Sequence, residues 1–182
     1  MKALLDACVL YPTVMREVLL GVAAAGLFEP LWSPRILEEW ARAAAKLGPG
    51  QETLARGEIA VAEARFPGAS VQPRAGDMAR LWLPDHDDVH VLAAAVAGSA
   101  DVLVTLNAKD FPRHTLAEEG LSREGPDLFL REIWAAHPRV VAGVAEDVRA
   151  EAERLSGEDW PMRKLMKKAR LPRLGKALEA VG

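Results

Sequence analysis

The stretch LPDHDDVHVLAAAVAGSADVLVTLNAKDFP, residues 83–112, constrains the fold of this chain more than any other part of it. It reads as an acidic turn, a helix from about Asp88 to Ala97 stopped by Gly98, a strand DVLVT, and a polar turn carrying Asn107 and Asp110. Near the N-terminus, residues 2–5 and 8–10 are apolar around Asp6. That is the pattern of a short buried parallel strand ending where a carboxylate emerges. Apolar positions at helical spacing follow from Val14 to Gly26, and LFEPLWS reads as a second strand weakened by Pro30. Ser33 and Pro34 form an N-cap and first-turn pair opening a helix through ILEEWARAAAKL, which Gly48 and Pro49 end. The alternation of strands and helices predicts an α/β fold with a mostly parallel sheet and helices on both faces.

Further along, residues 51–66 are alanine-rich and helical, PGASVQP is a loop with a short strand, and Asp77–Trp82 is ambiguous. Beyond Pro126 the pattern changes to amphipathic helices, DLFLREIWAA and VVAGVAEDVRAEAERL. We expect a domain over residues 1–125 and a helical extension over 126–182. A chain of 182 residues, half of them hydrophobic, can bury the core this requires. Its single cysteine, Cys8, permits neither an intramolecular disulfide nor a cysteine-based zinc site, and a reducing, cytoplasmic setting fits best. Asp6 interrupts the first apolar run, so that run reads as a strand and not as a targeting signal. Charges punctuate every apolar stretch, and no membrane span is expected. With a net charge of -3, attraction to nucleic acid would have to use a local patch.

In a parallel α/β sheet, ligands bind beyond the carboxyl ends of the strands, where strand order reverses. Asp6 and Asp110 both belong there, Asp88 can point to the same edge from a helix start, and Glu39 can reach it from the side. Glu38 and Glu39 project about 100° apart, so only one of the two can face such a site. Carboxylates converging without cations repel one another, which implies a divalent ion. Oxygen ligands without cysteine or histidine at ligand spacing favour Mg²⁺ or Mn²⁺ over Zn²⁺. Such ions suit phosphodiester hydrolysis. Each acid also has a plainer role available: Asp88 as a helix N-cap, Asp110 as a turn former, Glu38 or Glu39 on a solvated face.

Taken together, LLDACVLYP, WSPRILEEW and DHDDVHVLAAAVAGSADVLVTLNAKDFP resemble the PIN-domain nucleases, a family that includes the VapC-type toxins of toxin–antitoxin modules. The resemblance covers roughly residues 1–115. It implies a three-layer α/β/α sandwich, an acidic metal site and endoribonuclease activity, with Asp6, Glu39, Asp88 and Asp110 as catalytic metal ligands. On the same basis Asn107 would support Asp110, and Thr105 would set a hydroxyl near the metals. RNA would be the substrate, with an antitoxin or a second subunit as candidate partners. Where many members have Asp-Thr-Asn, this chain has Asp6-Ala7-Cys8, so a hydroxyl and an amide that could support the site are absent.

The C-terminal segment RKLMKKARLPRLGK concentrates cations, among them Lys167, Lys168, Arg170 and Arg173. These are candidate phosphate contacts, as is Arg16, although an amphipathic helix whose leucines pack inward reads equally well. Two other readings compete: a nuclease-like fold used only for binding or assembly, and a phosphatase using Asp6 as nucleophile. A haloacid-dehalogenase-like phosphatase would need a second aspartate where Cys8 stands. A dinucleotide-binding domain would need a glycine-rich turn after the first strand, and none is present.

Overall fold

The computed structural model describes residues 1–180. Four short strands form one parallel sheet in the order β2-β1-β3-β4: β1 (Lys2–Leu5), β2 (Glu29–Leu31), β3 (Val102–Val104) and β4 (Ser122–Glu124). Ala3 pairs with Pro30 on one side and with Val102 on the other. Pro30 lacks an N–H but lies on the outermost strand, where proline is tolerated. The chain runs from β1 to β2 in one direction and then crosses to β3 on the opposite side of β1. That reversal opens the crevice beyond the ends of β1 and β3 where ligands bind. The central strands are buried on both faces, which is why they read as continuous apolar runs. The expected α/β architecture with a helical C-terminal region is present.

The chain folds as two compact units, Met1–Tyr11 with Phe28–Glu124, and Pro12–Leu27 with Gly125–Gly182. In the first unit, α1 (Ala7–Leu10) follows β1 directly, and α3 (Pro34–Ala45) packs against α4 (Gln51–Arg65). The Ser33 side chain accepts a hydrogen bond from the Ile36 N–H, and Pro34 occupies the first turn, as their sequence signature predicts. The ambiguous segment is a short helix, α5 (Ala75–Arg80). A single 3₁₀ turn, His86–Asp88, leads into α6 (Val89–Ala97), and α7 (Arg113–Glu118) precedes β4. Gly98 ends α6 in close contact: a Cβ there would lie 2.8 Å from Leu31 Cδ1.

The second unit holds α2 (Thr13–Ala24), α8 (Pro126–Ala136), α9 (Pro138–Ser156), α10 (Met162–Lys168) and α11 (Pro172–Glu179). The boundary expected near residue 125 is therefore one of several crossings, because α2 packs with α8 and α9. Gly21 makes this possible, since a Cβ on it would sit 2.5 Å from Val144 Cγ1. Asp127 caps α11 by accepting from the Arg173 and Leu174 N–H groups at 3.1 and 3.0 Å.

Candidate active site

Asp6 follows β1 directly and occupies the position before α1, and its N–H donates to the Val104 carbonyl at 3.2 Å. This bond carries the β1–β3 pairing one residue past the strands and brings Asp6 beside Thr105. The Thr105 hydroxyl donates to Asp6 Oδ2 at 2.6 Å, and the Cys8 thiol donates to the same oxygen at 3.1 Å. Cys8 Sγ in turn accepts from the Leu106 N–H at 3.2 Å. Cys8 thus supplies a donor to Asp6 although it is neither threonine nor asparagine. Burial, reinforced by the Asp6 charge, pushes the Cys8 thiol up to about 12, so it remains protonated and able to donate.

Asp88 stands at the N-terminal end of α6 but makes no capping hydrogen bond. Its Oδ2 accepts from Asn107 Nδ2 at 3.1 Å. The plain N-cap role therefore does not account for it. Asn107, expected to support Asp110, supports Asp88 instead, because its N–H is tied to Thr105 Oγ1 at 2.9 Å and this directs the turn toward α6. Carboxylate oxygens of Asp85, Asp88 and Asp110 lie within 4.8 Å of one another, a grouping able to hold a metal ion. Arg123 on β4 steadies the turn that bears Asp110, with its Nη1 donating to the carbonyls of Ala108 and Phe111 at 2.5 and 2.8 Å.

Burial and the charges of Asp6, Asp85 and Asp110 push the Asp88 carboxyl up to about 6, against a smaller opposing effect from His90. The shift records first the burial of Asp88 and then the like charges gathered around it. Among the described residues no lysine or arginine pairs with Asp85, Asp88 or Asp110. Glu39 stands outside the triad. Its Oε1 lies 3.4 Å from Arg35 Nε and 2.8 Å from His90 Nε2. The latter is an ion-pair distance without hydrogen-bond alignment, and both His90 ring nitrogens are buried without a hydrogen-bond partner. Glu38 points elsewhere, bound by Arg42 and Arg56.

Asp85 was not singled out in the sequence, although the Asp85–Asp88 spacing of three was visible within the acidic turn. It caps the 3₁₀ turn by accepting from the Asp87 N–H at 2.9 Å, which holds it beside Asp88. Arg123 carried no sequence signal, since β4 is a polar edge strand. In the second unit Arg16 is a buried residue paired with Glu17, not a surface cation. Lys167, Lys168, Arg170 and Arg173 are exposed, and Lys168 lies over the Trp160 ring at 4.5 Å.

A parallel α/β sheet with crowded carboxylates at its carboxyl-terminal edge defines a domain suited to divalent metal and phosphate-ester chemistry. The family model for the PIN domain matches residues 2–109, and the chain belongs to that family of nucleases. No curated protein and no solved structure shows a significant match. No helix of the described residues is long and apolar enough to cross a membrane.

Proposed function

We propose that this protein is an endoribonuclease dependent on Mg²⁺ or Mn²⁺, in which Asp88, Asp110, Asp6 and the newly found Asp85 hold the metal. The observation that carries this reading is the carboxylate triad without a cationic partner, together with the raised carboxyl of Asp88. An all-oxygen donor set suits a hard divalent ion. Such an ion, when bound, lowers the pKa of an attacking water and neutralises charge gathering on the phosphate. Thr105 and Cys8 fix the Asp6 carboxylate through one oxygen, Oδ2, and neither of them engages the other oxygen. Asn107 holds Asp88 in the same way. Glu39, which lies beside Arg35 and His90, is a fourth family position that could supply a carboxylate when the ion is present. A role as the toxin of a toxin–antitoxin module, acting in the cytoplasm and restrained by an antitoxin, is the finer form of this reading.

Incubating the purified protein with mixed RNAs, with Mn²⁺ or with a chelator, tests the proposal. Cleavage that needs the ion supports it, and intact RNA under both conditions favours an assembly or binding protein instead. The exposed cations of the second unit, Lys167, Lys168, Arg170 and Arg173, are proposed RNA phosphate contacts. Changing them to glutamine should flatten the salt dependence of binding by roughly 0.7 in slope per lost contact on single strands. An unchanged slope would remove them from the binding surface.

A further inference from the structure

Trp82 is 67 % exposed, and among the described residues every other tryptophan, tyrosine and phenylalanine is buried or partly buried. The residue before it, Leu81, leaves the preceding helix in extended conformation at φ -79° and ψ 146°. Side chains alternate in direction along extended backbone. Leu81 and Leu83 are 8 % and 2 % exposed, so they peg the segment to the core while Trp82 projects outward between them. Leaving an indole in water forgoes a large hydrophobic gain, and here the backbone is anchored so as to hold it out. The indole has no hydrogen bond, ring or cation partner among the described residues.

Its position is as informative as its exposure. Trp82 lies three residues before Asp85, so their Cα atoms are separated by at most about 11 Å. A backbone separation this short lets an aromatic side chain reach a nucleotide next to the phosphate the carboxylates would serve. Exposed cations flank the same edge. Lys109 precedes Asp110, and Arg35 donates from Nη2 to the Asp87 carbonyl at 3.3 Å while remaining half exposed. Cations beside an exposed aromatic suit a single strand, because every unpaired base offers a face for stacking whereas in a duplex those faces are already stacked on one another.

We propose that Trp82 is a stacking platform for an unpaired base of the RNA, adjacent to the acidic site, and that it confers preference for single-stranded substrate. This rests on the ribonuclease reading above. The test uses the Asp88→Asn protein, so that RNA survives the measurement, and compares Trp82, Trp82→Phe and Trp82→Ala for binding to an unstructured RNA oligonucleotide and to its duplex in Mg²⁺. Trp82→Ala should weaken single-strand binding roughly 10-fold, Trp82→Phe should restore most of it, and duplex binding should hardly change. Equal affinities for the three proteins, an equal loss on duplex, or no measurable RNA binding would each overturn the proposal. So would unchanged RNA binding with an altered sedimentation mass, which marks Trp82 as a protein contact. Circular dichroism melting of each variant checks folding. A separate cleavage assay on the unsubstituted protein distinguishes the two levels: selective loss of single-strand binding with no cleavage retains the platform and removes the nuclease.

Discussion

The acidic edge of the sheet and the outer side of the α3–α4 hairpin are both rich in carboxylates, yet their electrostatics run in opposite directions. On the hairpin, Glu38 accepts from Arg42 at 3.0 Å and from Arg56 at 3.0 and 3.2 Å, and these hydrogen bonds hold its carboxyl below the ordinary value. Glu52 shares Arg56 at 2.6 Å. At the sheet edge, burial and like charges raise Asp88 to about 6, and among the described residues no arginine or lysine joins the triad. A protein with arginines to spare for exposed glutamates leaves its crowded aspartates without any. Acid placement answers to surface pairing in one region and to burial among like charges in the other.

The largest effect that would break this comparison is on chemistry. Asp88→Asn should reduce metal-dependent RNA cleavage by at least about 100-fold, since it removes both a ligand oxygen and a charge from the site. Without metal, the same protein should be no less stable than the original, because a repulsive charge is gone while Asn107 can still donate to the remaining side-chain oxygen. Full cleavage by this variant would end the assignment of Asp88. A marked fall in its metal-free melting temperature would show that Asp88 is held by favourable contacts and not against its neighbours.

Metal binding comes next in size. A divalent ion that binds the folded protein alone stabilises it by about 2.7 kcal/mol at one hundred times its dissociation constant. For a chain of this length that corresponds to a rise of several degrees in melting temperature. Mn²⁺ should give such a rise, and Asp88→Asn or Asp110→Asn should lower it in a dose-dependent titration. An equal rise in the substituted proteins would move the ion to another part of the surface.

How much of this was readable beforehand differs by residue for identifiable reasons. Strand ends were legible because Asp6 breaks an apolar run and Thr105 follows one, and the two side chains meet just beyond β1 and β3. The Ser33-Pro34 helix start was legible from local chemistry alone. Asp85 was not chosen because the turn offers three aspartates in four residues, and only the 3₁₀ geometry selects which of them face one another. The partner of Asn107 depended on the path of the turn after Thr105, a tertiary property. β4 escaped notice because an edge strand reading Ser-Arg-Glu has neither β-branched residues nor apolar alternation. The grouping of α2 with the C-terminal helices has no local signature. It depends on Gly21 meeting a residue more than a hundred positions away.

The pH dependence of stability sharpens the contrast with a smaller effect. An unfolded aspartate titrates near 3.9, whereas folded Asp88 titrates at about 6. Between those values the folded protein keeps a proton that the unfolded chain has lost, so metal-free stability should fall as pH rises through roughly 4 to 6 and level off above. Asp88 is only partly buried, and solvent screening reduces its share to on the order of 1 kcal/mol. Glu38 has the opposite sign: its contribution is present above its unfolded value and is lost as pH falls below it. Denaturant melts of the original and Asp88→Asn proteins from pH 4 to 7 separate the two. If both lose stability identically as pH rises through this window, Asp88 is not the origin of the slope.

The smallest expected effect lies on the hairpin, and it tests the assignment of neighbouring glutamates. Glu38→Gln removes the carboxylate shared by Arg42 and Arg56, but Arg56 keeps Glu52, and all of these groups are exposed enough for water to replace what is lost. Cleavage rate and metal-induced stabilisation should therefore be unchanged, with only a slight fall in melting temperature. Glu39→Gln in parallel alters the residue that faces His90 and Arg35, and it should reduce cleavage without a comparable fall in stability. Adjacent positions on a helix point about 100° apart, so the two substitutions sample different faces of α3 with nearly identical chemistry. If Glu38→Gln proved the damaging one and Glu39→Gln the silent one, the site would have to be redrawn around the hairpin, and its arginines would become binding groups for the substrate instead of partners for surface glutamates.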